Sequence, residues 1–175
     1  MTKPGLIQVY TGNGKGKTTA SLGLALRAIG HGMKVFIIQF MKDNMYYGES
    51  TAAAHLAGLT IVKAGRHTFV DLNNPDPMDV KMAQDGWQQV QEAITSRSYQ
   101  VVIMDELNVA MASKLIDTVE VTAFLQANRN NGVEMIITGR YAPQEIRDLA
   151  DYVTEMTEIK HPFQQGVLSR EGIDY

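Results

Sequence analysis

Short runs of mostly apolar residues alternate along this chain with segments whose apolar positions recur at helical spacing. The runs at 6–10, 35–40, 59–62, 101–104 and 135–138 show little polar alternation, which is how strands buried on both faces read. Helical patterns lie between them at 20–28, 50–57, 79–95, 119–128 and 144–149, and a last strand is predicted at 152–156. Gly30 and Gly32 end the first helix, and Asp79 reads as the cap of the third. Residues 66–77 are the least regular, with Asn73, Asn74, Pro75, Asp76 and Pro77 in succession. Doubly buried strands separated by helices specify a mainly parallel sheet covered on both sides, a three-layer α/β fold. No repeat, low-complexity tract or linker divides the chain, so residues 1–175 read as one domain.

Composition narrows the function classes. At 175 residues, 45% of them hydrophobic and 20% charged, the chain can bury an ordinary globular core. It has no cysteine, so a disulfide framework, a thiolate metal site and a cysteine nucleophile are all excluded. The net charge is −3, with lysines and arginines dispersed, which argues against an extended nucleic-acid contact. No run approaches the ~18 apolar residues of a membrane span, and the first residues lack a signal-peptide core. The expectation is a cytoplasmic protein with no membrane or nucleic-acid partner.

Chemistry concentrates first at Thr11-Gly12-Asn13-Gly14-Lys15-Gly16-Lys17-Thr18-Thr19, between the first strand and the first helix. Glycines let consecutive backbone N–H groups converge on phosphate oxygens, and the helix N-terminus adds partial positive charge. In such a Walker A loop Lys17 places an ammonium on the phosphates and Thr18 places a hydroxyl on a magnesium ion. The pattern asks for glycine six places before Lys17, where this chain has Thr11. The loop makes the fold a P-loop (RecA-like) one and Gly12 through Thr19 its ATP-binding residues.

The run 101–104 ends in Asp105-Glu106, an acidic pair at a strand's carboxyl end, as in a Walker B element. A hard cation takes oxygen ligands, so Thr18 with Asp105 or Glu106 forms a metal set; spacing does not say which acid touches the ion. Lys17, Thr18 and Glu106 are the candidate catalytic residues. Arg140 follows the strand at 135–138 and suits either a phosphate chain or a surface ion pair. The segment Lys160-His161-Pro162-Phe163 reads as a tail packed on the domain.

These residues belong to a wider pattern. Tyr10 through Thr19, Gly30 through Val35, Gln39-Phe40 with Lys42, Gly48-Glu49, Asp105-Glu106-Leu107 and Ile137-Thr138-Gly139-Arg140 recur as a set in one family. So do Asp148 through Asp151 with Val153 and Glu155, Lys160-His161 with Phe163 and Gly166, and the closing Gly172-Ile173-Asp174-Tyr175. Along almost its full length the chain resembles the P-loop ATP:corrinoid adenosyltransferases, whose loop shares the Thr11 departure. The resemblance implies transfer of the 5′-deoxyadenosyl group of ATP to cobalt(I) of a corrinoid, cobalamin or cobyrinic acid a,c-diamide, with triphosphate leaving intact. It implies Mg2+ (or Mn2+), a reversed sense of nucleotide binding, a homodimer, a reduced flavoprotein as electron donor, and a place in adenosylcobalamin biosynthesis or salvage.

On the corrinoid side the resemblance points to Gly65-Arg66-His67-Thr68-Phe69. Relatives carry two aromatics here that pack against the cobalt face, favouring four-coordinate cobalt(II) and so its reduction. His67 occupies one of those positions and Phe69 the other; the expectation is that Phe69 carries the apolar contact and His67 packs beside the ring. An imidazole on cobalt would oppose the effect. Many relatives have an N-terminal extension over the corrinoid, so a loop or partner subunit is expected to close the site, or the site is more open. Two competing readings are a small P-loop kinase and a recombinase-like or regulatory ATP-binding module. The first lacks an arginine-rich lid, the second a basic tail or heptads.

Overall fold

The computed structural model describes residues 5–43, 47–68, 70–72 and 74–175. Phe69, assigned above to the corrinoid contact, lies outside the described residues, as do Asn73 and residues 1–4 and 44–46. The elements run β1 (Ile7–Thr11), α1 (Lys17–Gly30), β2 (Val35–Phe40), α2 (Gly48–Ala53), β3 (Leu59–Ala64) and α3 (Pro77–Thr95). They continue with β4 (Val101–Asp105), α4 (Leu107–Ala112), α5 (Thr118–Ala127), β5 (Glu134–Thr138), α6 (Gln144–Leu149) and β6 (Tyr152–Glu155).

The six strands form one sheet in the order β3-β2-β4-β5-β1-β6, and every pairing is parallel. β2 and β4 are buried along their whole length, which is why they show no period-two alternation. On one face Ile38, Met104 and Ile137 pack with Trp87, Val90, Leu107, Leu125 and Ile146, drawn from α3 to α6. On the other face Ile37, Ile103 and Ile136 pack with Ala25 and Ala28 of α1. Because all strands are parallel, every carboxyl end opens on one edge, and β1, β5 and β4 lie side by side there. That edge is where an open α/β sheet holds a ligand.

Two local readings are corrected. The cap of α3 is Asp76, whose side chain accepts from the Met78 N–H at 2.7 Å. Pro77 opens that helix, where its fixed φ and missing N–H cost nothing. Asp79 sits inside the first turn, buried, and accepts from Arg66 Nε and Nη2, both at 2.7 Å. α4 was not expected: Leu107 to Met111 are all buried, so no polar face marks a helical period.

Candidate functional site

The loop between β1 and α1 is built against the end of β6. Gly14 N–H donates to the Met156 carbonyl at 2.6 Å, and Met156 N–H to the Thr11 carbonyl at 2.8 Å. Thr11, the departure from the loop pattern, is the buried last residue of β1, and its hydroxyl accepts from Ala142 N–H at 3.4 Å. A Cβ on Gly14 would stand 2.7 Å from the Met156 carbonyl oxygen, so only glycine allows this approach. Gly14→Ala is expected to destabilise the fold by about 1–3 kcal/mol, as overpacking against backbone does. Thermal unfolding checks it.

Lys17 opens α1 and turns its ammonium back into the loop, donating to the carbonyls of Gly12 at 2.8 Å and Gly14 at 2.7 Å. Burial is the main force pulling its pKa below the ordinary lysine value, and Arg140 adds to it against the opposing charge of Glu106. The charge is therefore held at some cost by neutral carbonyls, where an anion would be a stronger partner.

Asp105, at the end of β4, is fully buried and surrounded by four donors. Its Oδ1 accepts from Thr18 Oγ1 at 2.8 Å and Thr138 Oγ1 at 2.7 Å. Its Oδ2 accepts from Gln39 Nε2 at 2.9 Å and Lys42 Nζ at 3.0 Å. Burial alone would raise its pKa, but the Lys42 charge and the hydrogen bonds outweigh it and hold the carboxyl below the usual range. Glu106 differs in every respect. Its backbone is left-handed, φ 64°, and its N–H donates to Thr138 Oγ1 at 3.0 Å. No hydrogen bond to its carboxylate is made among the described residues. Burial, with the neighbouring Asp105 charge, raises its pKa. Gly139, φ 124°, makes room for it, since a Cβ there would lie 3.2 Å from Glu106 Oε2.

Two clefts meet at this acid. The smaller, about 350 Å³, is lined by the loop residues 13–19 together with Glu106, Arg140 and the carboxyl-terminal segment. The larger, about 830 Å³, is walled by Met41, Tyr47, His67, Val70 and Tyr141, among others, and also reaches Glu106 and Arg140. Lys15 is half-exposed and lies 3.5 Å from Asp174, and its Nζ donates to the Ile173 carbonyl at 3.4 Å. His67 is exposed and pairs through Nδ1 with Asp43.

The structure thus gathers Lys17, Thr18, Asp105, Glu106 and Arg140 at one edge, with His67 in the neighbouring cleft. Gln39, Lys42 and Thr138 were assigned no role from sequence. All three stand in the family pattern, and Gln39 and Thr138 also show as polar residues within apolar runs. The carboxyl-terminal segment is no mere packed tail: His161, Phe163, Leu168 and Arg170 wall the smaller cleft.

Residues 3–175 match the family described as ATP:corrinoid adenosyltransferase BtuR/CobO/CobP. The chain is 36% identical over 172 residues to the corrinoid adenosyltransferase of Sinorhizobium sp, covering 98% of this chain and 80% of that protein. It is 38% identical over 172 residues to the corrinoid adenosyltransferase of Escherichia coli K12, covering 98% and 86% respectively. The crystal structure of the flagellar accessory protein FlaH from Methanocaldococcus jannaschii superposes with a TM-score of 0.60 at 13% identity, over 86% of this chain and 70% of that one. At that identity the likeness is one of fold. No helix among the described residues is long and apolar enough to cross a membrane.

Proposed function

The chain belongs to the ATP:corrinoid adenosyltransferase family, and from that membership we infer that its two adjoining clefts bring ATP and a corrinoid together for transfer of the 5′-deoxyadenosyl group. The observation that carries the reading is their junction. A cradle with phosphate-binding chemistry opens at Glu106 and Arg140 onto a cleft more than twice its volume. We assign the triphosphate to the first, for its loop and basic lining, and the corrin ring to the second, for its size and apolar walls. Cobalt(I) attacks C5′ of the ribose, a cobalt–carbon bond forms, the C5′–O bond breaks, and its electron pair leaves on the triphosphate oxygen. Cobalt is formally oxidised by two electrons, and no proton moves. The protein therefore needs no general base, and its task is to hold two reactants in line and stabilise the departing anion. Lys17, the loop N–H groups and Arg140 supply positive charge for that anion, and the remaining loop residues, Gly12 to Thr19, shape the cradle.

The donor set suits a hard divalent cation. Thr18 Oγ1 directs its proton to Asp105 and so turns lone pairs outward, and Glu106 offers a carboxylate that no donor occupies among the described residues. Both oxygens of Asp105 are already taken by protein donors, so Asp105 acts through Thr18 and Glu106 is the direct carboxylate. A magnesium or manganese ion, when bound, neutralises charge on the phosphate oxygens. Thr18→Ala and Glu106→Ala are each expected to raise the magnesium concentration needed for half-maximal rate. A metal titration in which neither moves overturns this assignment.

On the corrinoid side, His67 is a wall of the larger cleft, held by Asp43. His67→Phe is expected to leave the rate unchanged or to raise it when cobalt(II) must be reduced by a protein donor. Spectra of bound cobalt(II) with ATP check this: a five-coordinate, histidine-ligated metal lost in the variant would make His67 a ligand. The family resemblance further supports a homodimer and a reduced flavoprotein donor. Anaerobic incubation of the protein with magnesium, ATP and chemically reduced corrinoid tests the function as a whole. Formation of a light-sensitive adenosylated corrinoid is expected; its absence with folded protein refutes the assignment.

A further inference from the structure

Lys42 takes no part in the chemistry above, yet it is the charged partner of the most deeply buried acid in the site. It is the second residue after β2, between Met41 and Asp43, which both wall the larger cleft. Its ammonium donates to Asp105 Oδ2 at 3.0 Å and lies 5.4 Å from the centroid of the Tyr47 ring. Lys63 lies 4.4 Å from the same ring and donates to Gln39 Oε1, while Gln39 Nε2 donates to Asp105 Oδ2 at 2.9 Å. The amide is thereby locked with its N–H groups toward the acid.

The arrangement divides the carboxylate into two halves. Oδ2 is closed by an ammonium and an oriented amide, both from β2 or the residues just after it. Oδ1 is left to the hydroxyls of Thr18 and Thr138. The end torsion of an aspartate is broad, so neutral donors alone leave the carboxylate free to rotate. A charge-assisted hydrogen bond on one oxygen removes that freedom. Burying an ammonium is costly unless it is paired, and this pair gains its use from what hangs on the other oxygen.

We propose that Lys42 is a positioning residue for the nucleotide's metal: through Asp105 it fixes the hydroxyl of Thr18, and so sets how tightly ATP is held together with its divalent cation. The inference rests on the metal reading given under the proposed function. It also joins the wall of the larger cleft to the phosphate cradle through a single side chain.

Calorimetric titration of ATP into the wild-type protein, Lys42→Met and Lys42→Arg tests it, once with magnesium and once with excess chelator. Partners of metal ligands tune affinity by ~10–100-fold; Lys42 acts one side chain further out, through Asp105, and Lys42→Met is expected to lose about 10-fold, the low end, with magnesium and little in chelator. Lys42→Arg keeps the charge and is expected to restore most of the loss. In a Thr18→Ala background Lys42→Met is expected to add no further loss. An equal loss in both conditions, or a full loss added on top of Thr18→Ala, overturns the proposal, because either marks a merely structural role. If the wild type responds to magnesium and Lys42→Met responds as strongly, this inference alone fails. If the wild type ignores magnesium, the metal reading fails and takes the inference with it. Should Lys42→Met not fold, Lys42→Gln replaces it, since its amide still donates to Asp105. The same pattern with a smaller loss is expected, and its absence overturns the proposal equally.

Discussion

Replacing Lys17 with alanine is expected to slow adenosyl transfer by about 10²–10³-fold, the usual cost of removing one preorganised donor from a developing anion. Its ammonium is placed by the first turn of α1 and held by two loop carbonyls. Those carbonyls are weaker partners than phosphate oxygens, so triphosphate is expected to displace them. Both hydrogen bonds that the substitution removes lie within one short loop, and the fold is expected to survive, which circular dichroism and thermal unfolding check. Single-turnover kinetics with chemically supplied cobalt(I) isolates the transfer step from reduction. A folded Lys17→Ala protein with near-wild-type turnover would sink the phosphate-cradle assignment.

The largest loss of stability is expected at Asp105. Alanine there leaves four buried or part-buried donors, from Thr18, Gln39, Lys42 and Thr138, without their shared acceptor. Breaking a buried charged pair from one side costs roughly 3–5 kcal/mol, because the other charge stays buried and uncompensated. For a chain of this size that corresponds to a fall in melting temperature of about 6–20 °C. The effect depends on pH in a definite direction. The folded carboxyl titrates below its unfolded value, held there by Lys42 and the hydrogen bonds. Its stabilisation is thus complete above an unfolded pKa of about 3.9 and is lost as pH falls through the lower folded value. Melting curves of wild type and Asp105→Ala should differ most near neutrality and converge in acid; a gap that widens in acid contradicts the network.

How far the sequence disclosed this depends on the kind of signal each element carries. The run at 35–40 coincides with β2 because residues buried on both faces leave no ambiguity of period or register. The cap of α3 was misread because Asp76 and Asp79 are both good capping residues; Pro77 and the Arg66 contact decide between them. α4 was invisible because Leu107 to Met111 are buried in succession and leave no polar stripe. In the candidate site, the local motifs were legible: a glycine loop and a strand-terminal acidic pair each point to a chemistry within about ten residues. The network around Asp105 was not, because Thr18, Gln39, Lys42 and Thr138 meet only through the strand order β2-β4-β5-β1. The return of residues 160–175 across the cradle was likewise unreadable, since an exposed segment without period gives no destination.

Adenosyl transfer is distinguished from phosphoryl transfer by which bond of ATP breaks. Phosphorus NMR of a single turnover with chemically reduced corrinoid identifies the phosphorus product directly. Attack at C5′ predicts inorganic triphosphate appearing in step with adenosylated corrinoid, one for one, with no ADP. ADP as the product, with the corrinoid unmodified and the γ-phosphoryl group passed to an acceptor or to water, would contradict it.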